Sequence, residues 1–156
     1  MTSKEHFAAL SESERQEMEA VWNANPVLAK MGLQVDLSDP DCIRAHLQPG
    51  PQHRGGLGTD AVNGAVLSGI CDLMVGLAGI CHSQKHRTGT VQLNIHFLRP
   101  LRGDQLLAEA RVTKVGRALV FSRVEIMDAE GEVCASCEGI ASVDRSKAPV
   151  ENYMAI

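Results

Sequence analysis

Hydrophobic residues in this chain follow two periods, and the switch between them divides the sequence. Between Ala61 and Cys81 apolar positions recur at helical spacing, with Leu67, Ile70, Met74, Leu77 and Ala78 forming one oily stripe. Beside it run Ala65, Ser68, Gly69, Asp72, Gly76 and Gly79, a face of small residues around a single acid. From Thr90 the pattern alternates, which predicts a strand with Val91, Leu93, Ile95 and Phe97 on one face and Thr90, Gln92, Asn94 and His96 on the other. Three more strands are predicted over 106–115, 118–127 and 132–143, joined by turns at Gly116-Arg117 and at Asp128-Ala-Glu-Gly131. Upstream, residues 34–37 and 42–47 read as short strands around a turn-rich loop. Residues 49–58 form a Gly- and Pro-rich loop, with Thr59 or Asp60 as cap for the long helix. Ser11-Glu-Ser-Glu14 is a capping box that opens an N-terminal helix over 12–23, whose apolar stripe is only Met18, Val21 and Trp22.

This order predicts an α+β fold, in which an antiparallel β-sheet, its last four strands a meander, wraps around the long central helix. The expected layout is an N-terminal helical extension over 1–30, a main domain over 31–145 and a C-terminal tail over 146–156. Asp72 then becomes the residue to explain. A carboxylate buried without partners is costly, so it reads either as a reacting group or as a structural acid paired with Arg or capping a loop. Each glycine inside a helix costs about 1 kcal/mol relative to Ala. Gly69, Gly76 and Gly79 therefore predict a close approach by a ligand, a neighbouring sheet or a second subunit.

Composition narrows the classes. Aromatic residues are 3% of the chain and the net charge is −4, so neither base stacking nor phosphate attraction is expected, and no nucleic-acid partner. The 61–81 run has the length of a membrane span but carries Asn63, Ser68 and Asp72, so no membrane association is expected. The first 25 residues are polar and acidic, without the apolar stretch of a leader. Cys42, Cys71, Cys81, Cys134 and Cys137, an odd number, read as free thiols of a reducing compartment, which points to a cytoplasmic protein. Cys134 and Cys137 lie three apart on a predicted strand, on opposite faces, with no second Cys/His pair nearby. Neither a metal nor a cofactor is expected.

Four stretches together resemble the hotdog-fold acyl-CoA thioesterases of the PaaI type, relatives of the 4-hydroxybenzoyl-CoA thioesterases. They are Val62-Asn-Gly-Ala65 followed by Asp72-Leu-Met-Val-Gly76; Gly89 to Pro100; Gly103-Asp-Gln-Leu-Leu-Ala108; and Val115-Gly-Arg117 through Asp128-Ala-Glu-Gly131 to Ala135. The resemblance spans about Gly32 to Val143. In that family the helix commonly opens with His-Gly-Gly, and an acid follows nine positions after the His. Here Asn63, Gly64, Ala65 and Asp72 hold those places, so two residue types depart. Leu57 stands where many members carry an Asn, with His53 or Asn63 as candidate substitutes. Thr90 matches a hydroxyl residue that assists the acid, usually from the neighbouring subunit.

The resemblance implies hydrolysis of an acyl- or aryl-CoA thioester, with coenzyme A as part of the substrate. The chemistry fits these residues. A helix-start glycine, Gly64, offers a backbone N–H to a carbonyl oxygen, and Asn63 can add a side-chain donor. Asp72, two turns on, can attack or activate water, and Thr90 can orient that water. The bland readings are a simple cap for Asn63, a ligand-free helix start for Gly64 and an ordinary strand residue for Thr90. Arg117, Lys114 and Arg99 are candidates for the coenzyme A phosphates, against the default of solvated turn charges. Val66, Ile70 and Val75 are expected in the pocket wall. Two other classes compete. A hotdog hydratase would rely on a His near the helix, and none lies between Arg54 and Cys81. A non-catalytic acyl-CoA-binding hotdog module is the alternative favoured by the Asn63 and Leu57 departures. The open sheet edges predict a homo-oligomer, a dimer or a dimer of dimers (a homotetramer), with Thr90 of one chain near Asp72 of the other. The N-terminal helix is expected to pack outside the domain or to lid the acyl pocket.

Overall fold

Local signals start the first helix where the capping box stands. In the computed structural model, which describes residues 9–56 and 58–151, α1 spans Glu12–Asn23 and both reciprocal capping bonds form between Ser11 and Glu14. A short α2, Pro26–Met31, follows, capped by the Asn25 side chain and ended by Gly32 at φ 69°, the left-handed conformation that favours glycine.

Six strands then form one antiparallel sheet: β1 (Leu33–Asp36), β2 (Ile43–Leu47), β5 (Arg87–Phe97), β6 (Leu106–Val115), β7 (Leu119–Met127) and β8 (Val133–Asp144). The order is β1-β2-β6-β7-β8-β5. The expected four-strand meander is therefore three strands long. β6 is already flanked by β2 and β7, so β5 cannot pair with it. Instead β5 runs beside β8 at the far edge, from Arg87↔Asp144 to Phe97↔Ala135, and residues 98–105 carry the chain back across to β6. Asn23, Glu19 and Arg15 of α1 bond the backbone of Val35 and Leu37 at the β1 end of the sheet.

The long helix α3, Gly64–Cys81, starts later than the predicted Thr59 or Asp60 cap. Residues 59–62 are instead the strand β4, which pairs with β3 (Arg54–Gly56) in a small second sheet. Ala61 and Val62 are buried there, and the Val62 N–H bonds the Leu101 carbonyl at 2.8 Å. Asn63 becomes the cap, its Oδ1 accepting the Ala65 N–H at 2.8 Å. α3 lies on the sheet by the expected stripe: Leu67, Ile70, Met74, Leu77 and Ala78 are all buried.

Two glycines set how close helix and sheet come. A Cβ on Gly79 would stand 2.7 Å from Ala141 Cβ, and one on Gly139 of β8 would stand 2.3 Å from a Val75 methyl. The neighbouring sheet thus explains Gly79. It does not explain Gly69 and Gly76, whose nearest neighbours leave room for a methyl.

α3 is long and apolar enough to cross a membrane, but half of that length is buried inside the protein, as in a core helix. The five cysteines are all buried and free. Burial pushes the Cys71 thiol up to about 12, with Cys137 as its neighbour, so neither is a ready nucleophile.

Candidate active site

One turn of irregularity in β5 decides which side chains meet α3. The β5–β8 register slips between Thr90 and Gln92, leaving Val91 without a partner. The alternation predicted for 90–97 therefore breaks. Thr88 and Thr90 share the helix-facing side with Leu93, Ile95 and Phe97, whereas Val91 is 59% exposed. A bulge changes the parity of a strand, so Thr90, expected on the opposite face, is turned toward the helix.

Thr90 arrives beside Asp72 of its own chain. Its hydroxyl donates to the Asp72 backbone carbonyl at 3.4 Å and lies 3.9 Å from where a Gly76 Cβ would be. Asp72 itself is exposed in the protomer, contrary to the expected buried carboxylate. The physical reason is the angle at which α3 meets the sheet: the oily stripe faces inward and the small-residue face is left to the side. A groove of about 330 Å³ opens there, walled by Asp72, Leu73, Gly76 and Leu77 of α3, by Thr88 to Thr90 of β5 and by Trp22 of α1. Ile70 and Val75, expected in the pocket wall, point into the core and are 0% exposed.

Gly64 sits at the other end of α3. Ala65 donates to Asn63 Oδ1, while Val66 and Leu67 donate to the Asn63 carbonyl. Among the described residues the Gly64 N–H has no acceptor, the arrangement that lets a helix N-terminus receive an oxygen. Asn63 also donates its amide to the Gly55 carbonyl at 2.7 Å, so its cap and hairpin roles occupy the oxygen and one amide hydrogen. His53 is 4% exposed and fully engaged: its Nδ1 accepts from Gly50, its Nε2 therefore carries the proton toward the Met31 carbonyl, and its own carbonyl receives the Asn63 N–H. That ring holds the hairpin that aims the helix start. Leu57 lies outside the described residues.

The cationic candidates separate. Arg99, just past β5, is at the Gly64 end, since Phe97 packs on Gly64, and pairs with Glu132 at 3.2 Å. Lys114 lies over the Phe121 ring, 5.8 Å from its centroid, on the sheet face away from α3. Arg117 is exposed in the β6–β7 turn, where its carbonyl accepts from Arg145. Among the described residues no group of three or more His, Cys, Asp and Glu is placed to hold a metal. Trp22, read from the sequence only as part of the apolar stripe of the N-terminal helix, is the wall residue not named there as a site residue. It stands in an acidic helix fifty residues from Asp72, and no spacing links the two.

Comparison with known proteins bears on the fold that carries these residues. The sequence profile of the thioesterase superfamily matches residues 60–135, which contain Asn63, Gly64, Asp72 and Thr90. A protein of Thermoplasma acidophilum, provisionally named an esterase, is 24% identical over 51% of this chain and 61% of its own length. One of Saccharolobus solfataricus, named in the same way, is 27% identical over 60% of this chain and 64% of its own length. The chain thus spans under two thirds of the length of these relatives. Among solved structures, a Shewanella oneidensis protein related to the thioesterase superfamily superposes with TM-score 0.77 at 20% identity, covering 83% of this chain and 95% of its own. The PaaI protein of the E. coli phenylacetic acid degradation operon gives 0.72 at 23% identity, covering 86% and 96%. The Haemophilus influenzae thioesterase HI1161 gives 0.73 at 19%, covering 88% and 92%. Such identities speak for the fold, a six-stranded antiparallel sheet against one central helix. In that hotdog architecture and in the matched segment around the Gly64–Asp72 helix, the chain is similar to the thioesterase superfamily.

Proposed function

We propose that the protein is a thioester hydrolase acting on an acyl- or aryl-CoA, through a site completed by two copies of the chain. The observation that carries this reading is the separation of its parts. Gly64 and Asp72 are eight residues apart on one helix, about 12 Å at 1.5 Å per residue. A single carbonyl carbon cannot have its oxygen on one and its nucleophile at the other. The open edge of β5 supplies the remedy. Phe97 packs on Gly64 at one end of β5 and Thr90 lies by Asp72 near the other. Antiparallel pairing of β5 with β5 of a second copy sets the Phe97 end of one beside the Thr90 end of the other. It also covers Val91, Phe97 and Leu98, each more than half exposed in the protomer. The acid and Thr90 then come from one chain and the N–H donor from the other. The expectation from sequence had paired Thr90 of one chain with Asp72 of its partner. The contact within one chain favours this arrangement instead.

In the proposed reaction the Gly64 N–H and the helix dipole receive the thioester oxygen as charge builds on it. Asp72 removes a proton from a water held with the help of Thr90, and that water adds to the acyl carbon. Collapse of the adduct breaks the C–S bond, releasing the acid and the coenzyme A thiol, which takes up the proton. Attack by the carboxylate itself, with hydrolysis of the resulting anhydride, uses the same geometry. No cofactor enters either route. Of the three candidate cations, Arg99 lies at the Gly64 end and Arg117 is exposed in its turn, so both are offered to the phosphates, with Lys114 third. The thiols stay reduced in the cytoplasmic setting proposed for the chain.

Hydrolysis of several acyl-CoA esters followed with a thiol reagent tests the reading, and two variants locate the site. Asp72→Asn keeps the volume and is expected to lower kcat by about 10²–10⁴ with melting unchanged. Gly64→Pro removes the N–H and adds a ring whose Cβ would stand 3.4 Å from Phe97, an ordinary contact; the position opens the helix, and Asn63 at φ −63°, ψ 138° already has the backbone that precedes proline. Each variant alone is expected to be nearly inactive. Mixed and reassembled, they should recover about a quarter of parental activity, because half the dimers are hybrids with one intact site. No recovery on mixing places the whole site in one chain. Binding of acyl-CoA without any turnover in the parent protein supports the binding-module alternative.

A further inference from the structure

Trp22 stands in the wall shared by the groove at Asp72 and a neighbouring hollow. That second hollow, of about 360 Å³, shares Trp22, Ile80 and Thr88 with the groove. The second is walled by Met18 and Val21 of α1 and by Val150, whose N–H is tied to the Lys85 carbonyl at 2.8 Å. The indole at the junction is held in place, since its Nε1–H donates to Met18 Sδ at 3.1 Å. We infer that Trp22 is a specificity-determining residue: granted the thioesterase reading above, its indole closes the apolar end of the acyl pocket and sets the length of acyl chain the site accepts.

The direction of the acyl chain follows from what surrounds Asp72. Inward, Ile70, Met74 and Val75 are packed at 0% exposure and leave no opening. Toward the helix start lies the donor end of the site. The open course runs along α3 past Leu73, Leu77 and Ile80, aliphatic side chains facing the Thr88 and Thr90 side of β5. Beyond Asp72 no charged side chain lines the first groove, whereas Asn25, His86 and Arg87 join the apolar walls of the second hollow. Such walls suit a hydrocarbon or aryl group. The amide-bearing arm of coenzyme A would leave its polar groups unpaired there.

The test compares kcat/KM for straight-chain acyl-CoA esters of increasing length in the parent, Trp22→Phe and Trp22→Ala. Each methylene that finds apolar cover raises kcat/KM by about fourfold, and each one beyond the wall adds nothing. The parent is expected to level off at a chain length that Trp22→Phe extends slightly and Trp22→Ala extends further, into the second hollow. The same break point in all three proteins overturns the inference. A second measurement does not depend on the variants folding. The chain has one tryptophan, so its emission reports this residue alone. In the Asp72→Asn protein, saturation with the longest acyl-CoA that the parent hydrolyses should shift that emission, and coenzyme A alone should not. Unchanged emission at calorimetrically proven saturation overturns the inference. Length-independent hydrolysis by the parent sinks this proposal while sparing the thioesterase reading. No hydrolysis of any ester sinks both.

Discussion

Glycine has three separate uses on α3 and β8, and single methyl groups distinguish them. At Gly79 and Gly139 a Cβ would fall at 2.7 Å and 2.3 Å from side chains of the facing element. Gly79→Ala and Gly139→Ala are each expected to cost about 1–3 kcal/mol by overpacking, read as a lower denaturation midpoint. At Gly69 the nearest atom is the mobile tip of Met31, 3.7 Å away. Gly69→Ala should therefore be neutral or stabilise by up to about 1 kcal/mol, from helix propensity alone. Gly76 faces the Thr90 hydroxyl at 3.9 Å across the floor of the groove. Gly76→Ala is expected to keep or raise the midpoint while lowering kcat/KM, a split that packing alone does not produce. The sequence displayed Gly69, Gly76 and Gly79 on one small-residue face of the helix, and left Gly139 unmarked. Which neighbour each one meets was not legible there, because helical spacing gives a face and not its partner.

Among the elements, α1 does most to close the domain. Its side chains act as a substitute strand along β1: Asn23 both donates to and accepts from the backbone of Val35, Glu19 accepts from the Leu37 N–H, and Arg15 donates to the Leu37 carbonyl. A sheet edge covered in this way is protected from pairing with other chains. Asn23→Ala leaves two backbone groups of Val35 unsatisfied and is expected to cost about 1–3 kcal/mol, with faster amide exchange at Val35 as its local signature. The capping end of α1 adds a pH dependence. A hydrogen bond from Lys85, then the Ser11 N–H, hold the Glu14 carboxyl below its usual range. A carboxyl lowered on folding contributes stability above its unfolded value, near 4.5, and loses it as pH falls through the lower folded value. The stability gap between the parent and Glu14→Gln should thus be present at neutral pH and close in acid. The capping box was legible from four residues in a row, and the helix end from the stretch Asn23 to Pro26. The role of Asn23 was not, since its partners are backbone groups twelve residues away.

For the whole molecule, the two sheet edges have opposite characters. β1 is sealed by α1, while β5 is bare and carries exposed Val91 and Phe97, with Leu98 just beyond its end. A twofold dimer through β5 is expected, and with it a loss of activity on dilution that follows sedimentation from dimer to monomer. An active monomer at micromolar concentration would contradict the shared site. The sequence by itself determined the long helix, the strands of the main sheet and the chemistry available to them, though not the β3–β4 hairpin. A 3.6-residue period specified the buried stripe of α3, alternation specified the strands, and the cluster around Asn63, Gly64 and Asp72 marked one helix for function. These are short-range properties, set by side-chain spacing on a single element. Tertiary structure alone decided the rest. It put β5 beside β8 because β6 was already paired on both sides, and it turned Thr90 to Asp72 through one unpaired residue at Val91. It left Asp72 open at the side of the helix and brought Trp22 across to wall its groove. Each of these depends on hydrogen-bond partners and packing angles between segments far apart in the chain, which no period along the sequence encodes.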